Sequence, residues 1–95
     1  MFKRAVHPGA VLKEELSELG VTPAVFARQI DVPANRVSQI IAGKRSITGD
    51  TALRFGHWFE VEPQFWMNLQ TQFDLVNAEN AVGEEIRKLP TAANL

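Results

Sequence analysis

Between Thr22 and Gly43 the chain reads TPAVFARQIDVPANRVSQIIAG, and this stretch restricts the fold more than any other. Its signals describe two short helices joined by a three-residue turn. Thr22 is placed to N-cap the first helix, with Pro23 at the first helical position, where a missing N–H costs nothing. Phe26, Ala27 and Ile30 then set an apolar stripe at helical period. Asp31, Val32 and Pro33 interrupt it, because Pro33 has no backbone donor and pushes Val32 out of the α region. The second helix runs from about Ala34 to Ala42, with Val37, Ile40 and Ile41 facing inward. Gly43 ends it as the left-handed C-terminal residue.

Ala27 lies where two steeply crossing helices would touch, and only a small side chain lets their backbones approach. Val32, Val37 and Ile40 supply the buried contacts that fix the crossing. Together with Phe26 and Ile30 they follow the apolar pattern of a DNA-binding helix-turn-helix. Asp31 occupies the turn position where Gly is commonest, a mild departure, since Asp tolerates left-handed backbone better than most residues. The second helix shows Ala34, Asn35, Arg36, Ser38 and Gln39 to solvent, a face without acid. Asn and Gln can bond adenine in the major groove, Arg can bond guanine, and Ala34 can meet a thymine methyl. An ordinary αα-hairpin with a polar surface is the plainer alternative. Spacing, small contact residue and acid-free face together favour the DNA reading.

Charge supports the same division. The net charge is −1, which on its own is no signature of a nucleic-acid binder. Residues 22–54 carry Arg28, Arg36, Lys44, Arg45 and Arg54 against Asp31 and Asp50, a net +3. Residues 55–95 carry Arg87 and Lys88 against Glu60, Glu62, Asp74, Glu79, Glu84 and Glu85, a net −4. One face is thereby suited to phosphate and another to something else. With 95 residues, 45% of them hydrophobic, the chain is expected to form one globular domain over residues 1–95. It has no cysteine, which removes disulfides and thiolate metal sites and is compatible with a reducing compartment. Neither a membrane-length apolar run nor a signal-peptide core is present, so a cytoplasmic location is expected.

Elsewhere the chain reads as further helices. Phe2 and Val6 in the N-terminal arm are available for docking. His7-Pro8-Gly9 launches a helix to Leu19, with Val11, Leu12, Leu16 and Leu19 at helical spacing and Gly20 as its stop. Glu14, Glu15 and Glu18 form a solvated face rather than a metal site. After the basic loop Lys44-Arg45-Ser46, Thr48 caps a helix over about Gly49–Glu60, with Asp50 favourable in its first turn. Ala52, Phe55, Gly56 and Phe59 line its inner face. Pro63 starts a helix to about Asn80, whose stripe of Phe65, Trp66, Leu69, Phe73 and Val76 belongs to the core rather than to a stacking platform. Val82, Ile86 and Leu89 suggest one more amphipathic helix, weakened by Gly83, ending at Pro90 and assigned to dimerisation; residues 91–95 fray.

The chain resembles the HigA-type antitoxins, the VapI-like group within the Xre/Cro family of helix-turn-helix regulators. The resemblance rests on His7-Pro8-Gly9, on the block from Thr22 to Thr48, and on Ala52-Leu53-Arg54. Pro63-Gln64-Phe65-Trp66-Met67-Asn68-Leu69-Gln70 and Phe73-Asp74-Leu75 complete it. Ala10, Gly49 and Phe73 depart from the family's usual Glu, Pro and Tyr, and none of them touches the base-reading face. The resemblance implies an all-α, five-helix, lambda-repressor-like domain with a helical extension over about residues 63–90. It further implies a homodimer that sets two recognition helices into a palindromic operator, about 34 Å apart. Repression of its own operon and neutralisation of a RelE-like mRNA-cleaving toxin follow from the same resemblance, and no cofactor, metal or membrane is implied. A stand-alone regulator without a toxin is the alternative.

On this reading Ala34, Asn35, Ser38 and Gln39 meet base edges, and Arg36 meets a base or a phosphate. Arg28, Lys44, Arg45 and Arg54 hold phosphates, helped by backbone N–H groups at the starts of both helices. An enzyme is not expected. His7 reads as a turn residue and His57 as a helix-boundary residue, with no nucleophile elbow or Gly-rich phosphate loop beside them.

Overall fold

The structure, a computed structural model, describes residues 3–95. Five helices follow one another: α1 (Pro8–Leu19), α2 (Pro23–Gln29), α3 (Ala34–Ile41), α4 (Gly49–Phe59) and α5 (Pro63–Arg87). A single 3-10 turn over Ala92–Asn94 stands where fraying was expected, and no strand occurs among the described residues.

The boundaries come from local chemistry. His7 caps α1 through Nδ1, which accepts from the Gly9 N–H at 2.9 Å. Thr22 caps α2 by accepting from the Val25 N–H at 3.2 Å, and Thr48 caps α4 by accepting from the Thr51 N–H at 3.4 Å. Pro8, Pro23 and Pro63 each start a helix where no donor is needed. At the other ends Gly20 (φ 69°) and Gly43 (φ 75°) take the left-handed conformation, and so do Asp31 (φ 58°) and Glu60 (φ 57°). Asp31 therefore fills the glycine position of the turn as its tolerance of that region allows.

The core gathers Leu12 and Leu16 of α1, Phe26 and Ala27 of α2, Val37 and Ile40 of α3, Ala52 and Phe55 of α4, and Trp66 of α5. Phe26 is its hub, with ring centroids 5.2 Å from Phe55, 4.9 Å from Trp58 and 5.6 Å from Phe59. Burying rings of this size contributes on the order of 1.5–3 kcal/mol each. The buried Trp66 Nε1 has no acceptor among the described residues. Two close approaches depend on glycine. A Cβ on Gly9 would stand 1.8 Å from the Ile40 carbonyl oxygen, and one on Gly56 would stand 2.8 Å from that of Val61. So α1 meets α3 backbone to backbone, and α4 folds tightly onto the turn before α5.

Three expectations are corrected. There is no break near Asn80: α5 continues through Val82 and Gly83 to Arg87 and absorbs the separate tail helix. A mid-helix glycine costs only about 1 kcal/mol relative to Ala, too little to stop a helix with no proline in its path. Gly83 is covered by the Glu79 side chain, and Arg87 pairs with Glu79 and, at 3.0 Å, with Glu84. Leu19 and Phe65, assigned to apolar stripes, are 58% and 46% exposed. Val11, Ile41, Leu69 and Phe73 are only half-buried, whereas Val76 is buried.

Gln70, which the apolar stripe did not mark, is buried instead. Its Oε1 accepts from the Ile47 N–H at 2.7 Å, and its Nε2 donates to Asp74 at 3.0 Å. This pins the loop after α3 to α5. The N-terminal arm lies on the same helix. Asn80 donates to the Lys3 carbonyl at 2.7 Å and accepts from the Lys3 N–H at 3.2 Å, while the His7 ring stands edge-on to Phe73 at 4.8 Å. Val6 remains exposed, and Phe2 lies outside the described residues.

Candidate nucleic-acid interface

The crossing of α2 and α3 is built around Ala27, which is 1% exposed. The turn closes on it directly, because the Val32 N–H donates to the Ala27 carbonyl at 3.0 Å. Val37 and Ile40 anchor α3 with no exposure at all. With these two facing inward, helical period leaves Ala34, Asn35, Ser38 and Gln39 in solvent, and all four are exposed. No side-chain cap occupies the start of α3.

The expected contact residues divide into two groups. Asn35, Ser38, Gln39 and Arg45 form one exposed face. Ser38 Oγ donates back to the Asn35 carbonyl at 3.2 Å, which leaves its oxygen free to accept. Arg45 Nη1 donates to Gln39 Oε1 at 3.0 Å, so the basic loop steadies the Gln39 amide. Arg28 and Lys44 are exposed, with no ion-pair partner among the described residues.

Arg36 and Arg54 converge on Asp50. Asp50 Oδ1 accepts from Arg36 Nη1 at 2.9 Å and from Arg54 Nε at 2.8 Å. Arg54 Nη1 also reaches the carbonyls of Ile30, at 2.8 Å, and Asp31, at 3.3 Å. It thereby satisfies acceptors at the C-terminal end of α2, where helix carbonyls have no partners of their own. Three guanidinium nitrogens, one of Arg36 and two of Arg54, are thus already engaged within the protein. Hydrogen bonds from Arg54 and then Arg36 hold the Asp50 carboxyl below its ordinary range, and Asp50 in turn raises Arg54. Sequence reasoning placed Asp50 only as a helix-dipole residue. The clue to its second role is its spacing, four residues before Arg54 on one helix face.

The remaining candidates stay peripheral. Glu14, Glu15 and Glu18 are exposed along α1, and His57 is exposed on α4. Among the described residues no three His, Cys, Asp or Glu side chains are grouped to hold a metal ion, and no helix is long and apolar enough to cross a membrane.

Five helices with α2 and α3 joined by a tight turn, and an acid-free polar face on α3, define a lambda-repressor-like helix-turn-helix protein. No protein-family profile matches the chain, but individual relatives do. It is 41% identical over 76 residues to virulence-associated protein I of Dichelobacter nodosus, spanning 79% of this chain and 70% of that one. An addiction module antidote protein of the HigA family from Coxiella burnetii superposes with a TM-score of 0.91 at 42% identity, over 94% of this chain and 98% of its own. The antitoxin HigA of Pseudomonas aeruginosa, solved with the higBA promoter, gives 0.88 at 38% identity, over 94% and 99%. The chain belongs to the HigA family of helix-turn-helix antitoxins. It is accordingly not an enzyme.

Proposed function

We propose that this chain is a DNA-binding antitoxin that represses its own operon and silences a RelE-like, mRNA-cleaving toxin in the cytoplasm. The observation that carries the DNA half is the exposed face of α3, where Asn35 and Gln39 lie on a helix that bears no acidic residue. The Pseudomonas aeruginosa HigA solved with the higBA promoter supports it, since the two chains share both fold and helix order. In the complex Ala34, Asn35, Ser38 and Gln39 lie against base edges, with Arg36 beside them. Arg28, Lys44, Arg45 and the outer part of Arg54 track the phosphates, joined by backbone N–H groups at the starts of α2 and α3.

Residues 1–95 act as one domain, with its helix-turn-helix at 22–43 and its extension at about 63–90. Two copies assemble on a palindromic operator with their α3 helices about 34 Å apart. The distal half of α5 supports that assembly, because Leu75, Val82 and Ile86 are exposed at helical spacing and the exposed Leu89 follows just past the helix end. The acidic C-terminal half suits a basic toxin. No cofactor or metal takes part.

Co-expression with the adjacent open reading frame, followed by a gel shift of the purified complex on the upstream promoter, tests both halves. The reading predicts a stable complex with a small basic protein and a sequence-specific shift. A specific shift with no protein partner would instead identify a stand-alone regulator, and no shift would refute the reading.

A further inference from the structure

Asp50 poses an electrostatic problem. It sits in the first turn of α4 with its side chain 58% exposed, on the flank of the helix proposed to enter DNA. A carboxylate there repels phosphate and lowers the affinity for every duplex. Its contacts indicate what is gained. Oδ1 anchors Arg36 Nη1 at 2.9 Å, and the Arg36 side chain is only 27% exposed, which restricts how far its guanidinium can swing. The same oxygen receives Arg54 Nε, and Arg54 in turn grips the carbonyls of Ile30 and Asp31. Asp50 is therefore fixed relative to the α2–α3 turn itself, and so is the group it anchors.

We propose that Asp50 is a specificity-determining positioning residue, which anchors and neutralises Arg36 so that its remaining N–H groups read a base edge rather than grasp any phosphate. The inference rests on the reading that α3 enters the major groove. A fixed guanidinium rewards a base whose acceptors match its plane and penalises one whose acceptors do not. A free one follows the nearest phosphate and carries no sequence information.

The test uses the full chain, a duplex enriched by it from a randomised library, and a scrambled duplex of the same composition. Asp50→Ala should lower the ratio of the two affinities about tenfold. It should also strengthen binding to the scrambled duplex and steepen its salt dependence by about one phosphate contact. Asp50→Asn keeps an acceptor for Arg36 while removing the charge, so it should restore much of the ratio but not the shallower salt slope. In an Arg36→Ala background Asp50→Ala should leave the ratio where it was. An unchanged ratio for Asp50→Ala, or an equal loss with and without Arg36, would overturn the proposal. A wild-type chain that enriches no sequence at all would instead overturn the DNA reading on which it rests.

Discussion

His7 joins a helix cap to a titration. Its Nδ1 accepts from the Gly9 N–H, which only a neutral imidazole can do. Burial lowers its pKa below the ordinary 6.5, while Asp74 and the backbone of Arg45 pull the other way. Between the folded and unfolded values the unfolded chain binds more protons, so stability rises with pH across that window. His7 thus contributes fully above about pH 6.5, and its contribution is lost as pH falls through the lowered folded value. Urea unfolding should show a lower midpoint at pH 5.5 than at pH 8, and His7→Asn, a capping residue that does not titrate, should flatten the difference. Equal slopes in the two proteins would exclude His7 as the source. Asp50 adds a separate step at lower pH. Its folded value is depressed, so its contribution is present above the ordinary carboxylate value and disappears as pH falls through the folded one.

At the scale of the helix, two glycines separate a packing constraint from a tolerated cost. A Cβ on Gly9 meets the backbone of Ile40, which cannot move without shifting α3. Gly9→Ala should therefore lower stability by about 1–3 kcal/mol or more, read as a fall in Tm. The atoms nearest a Cβ on Gly83 all belong to the end of the Glu79 side chain, so Gly83→Ala should gain up to about 1 kcal/mol of helix propensity. Any weakening of the exposed Glu79–Arg87 pair subtracts little. Opposite signs for these two changes are the expectation, and a shared sign would contradict it.

The same elements mark how far the amino-acid order could be read. Thr22, Thr48, Asp31, Gly20 and Gly43 act locally, through caps and backbone conformation, and each stands in the role that local chemistry assigns it. Phe65, Leu19 and Gln70 depend on which neighbour lies opposite, and no periodicity carries that information. Gln70 is buried because the Ile47 N–H of a distant loop needs an acceptor. Asp50 is similar: its pairing with Arg54 is local, whereas its pairing with Arg36 exists only once α3 and α4 are packed.

For the whole molecule the distribution of charge and apolar surface matters more than the total. The positive excess lies on the helix-turn-helix and its following loop, and the negative excess lies toward α5. The exposed stripe of Leu75, Val82 and Ile86 continues along α5 beyond the shared core, and the exposed Leu89 lies just past the helix end. If that stripe joins two copies, Ile86→Lys should shift the sedimentation of the protein toward monomer and weaken operator binding through loss of bivalency. A dimer that persists unchanged would move the interface elsewhere.

The central claim is that α3 reads base edges, and one equilibrium titration addresses it directly. Affinity is measured for the library-enriched duplex and its scrambled counterpart, with the wild-type chain and with Gln39→Ala, at a single salt concentration. The account predicts a loss of about 1–3 kcal/mol on the enriched duplex and almost none on the scrambled one. Unchanged affinity and unchanged selectivity in Gln39→Ala would contradict it.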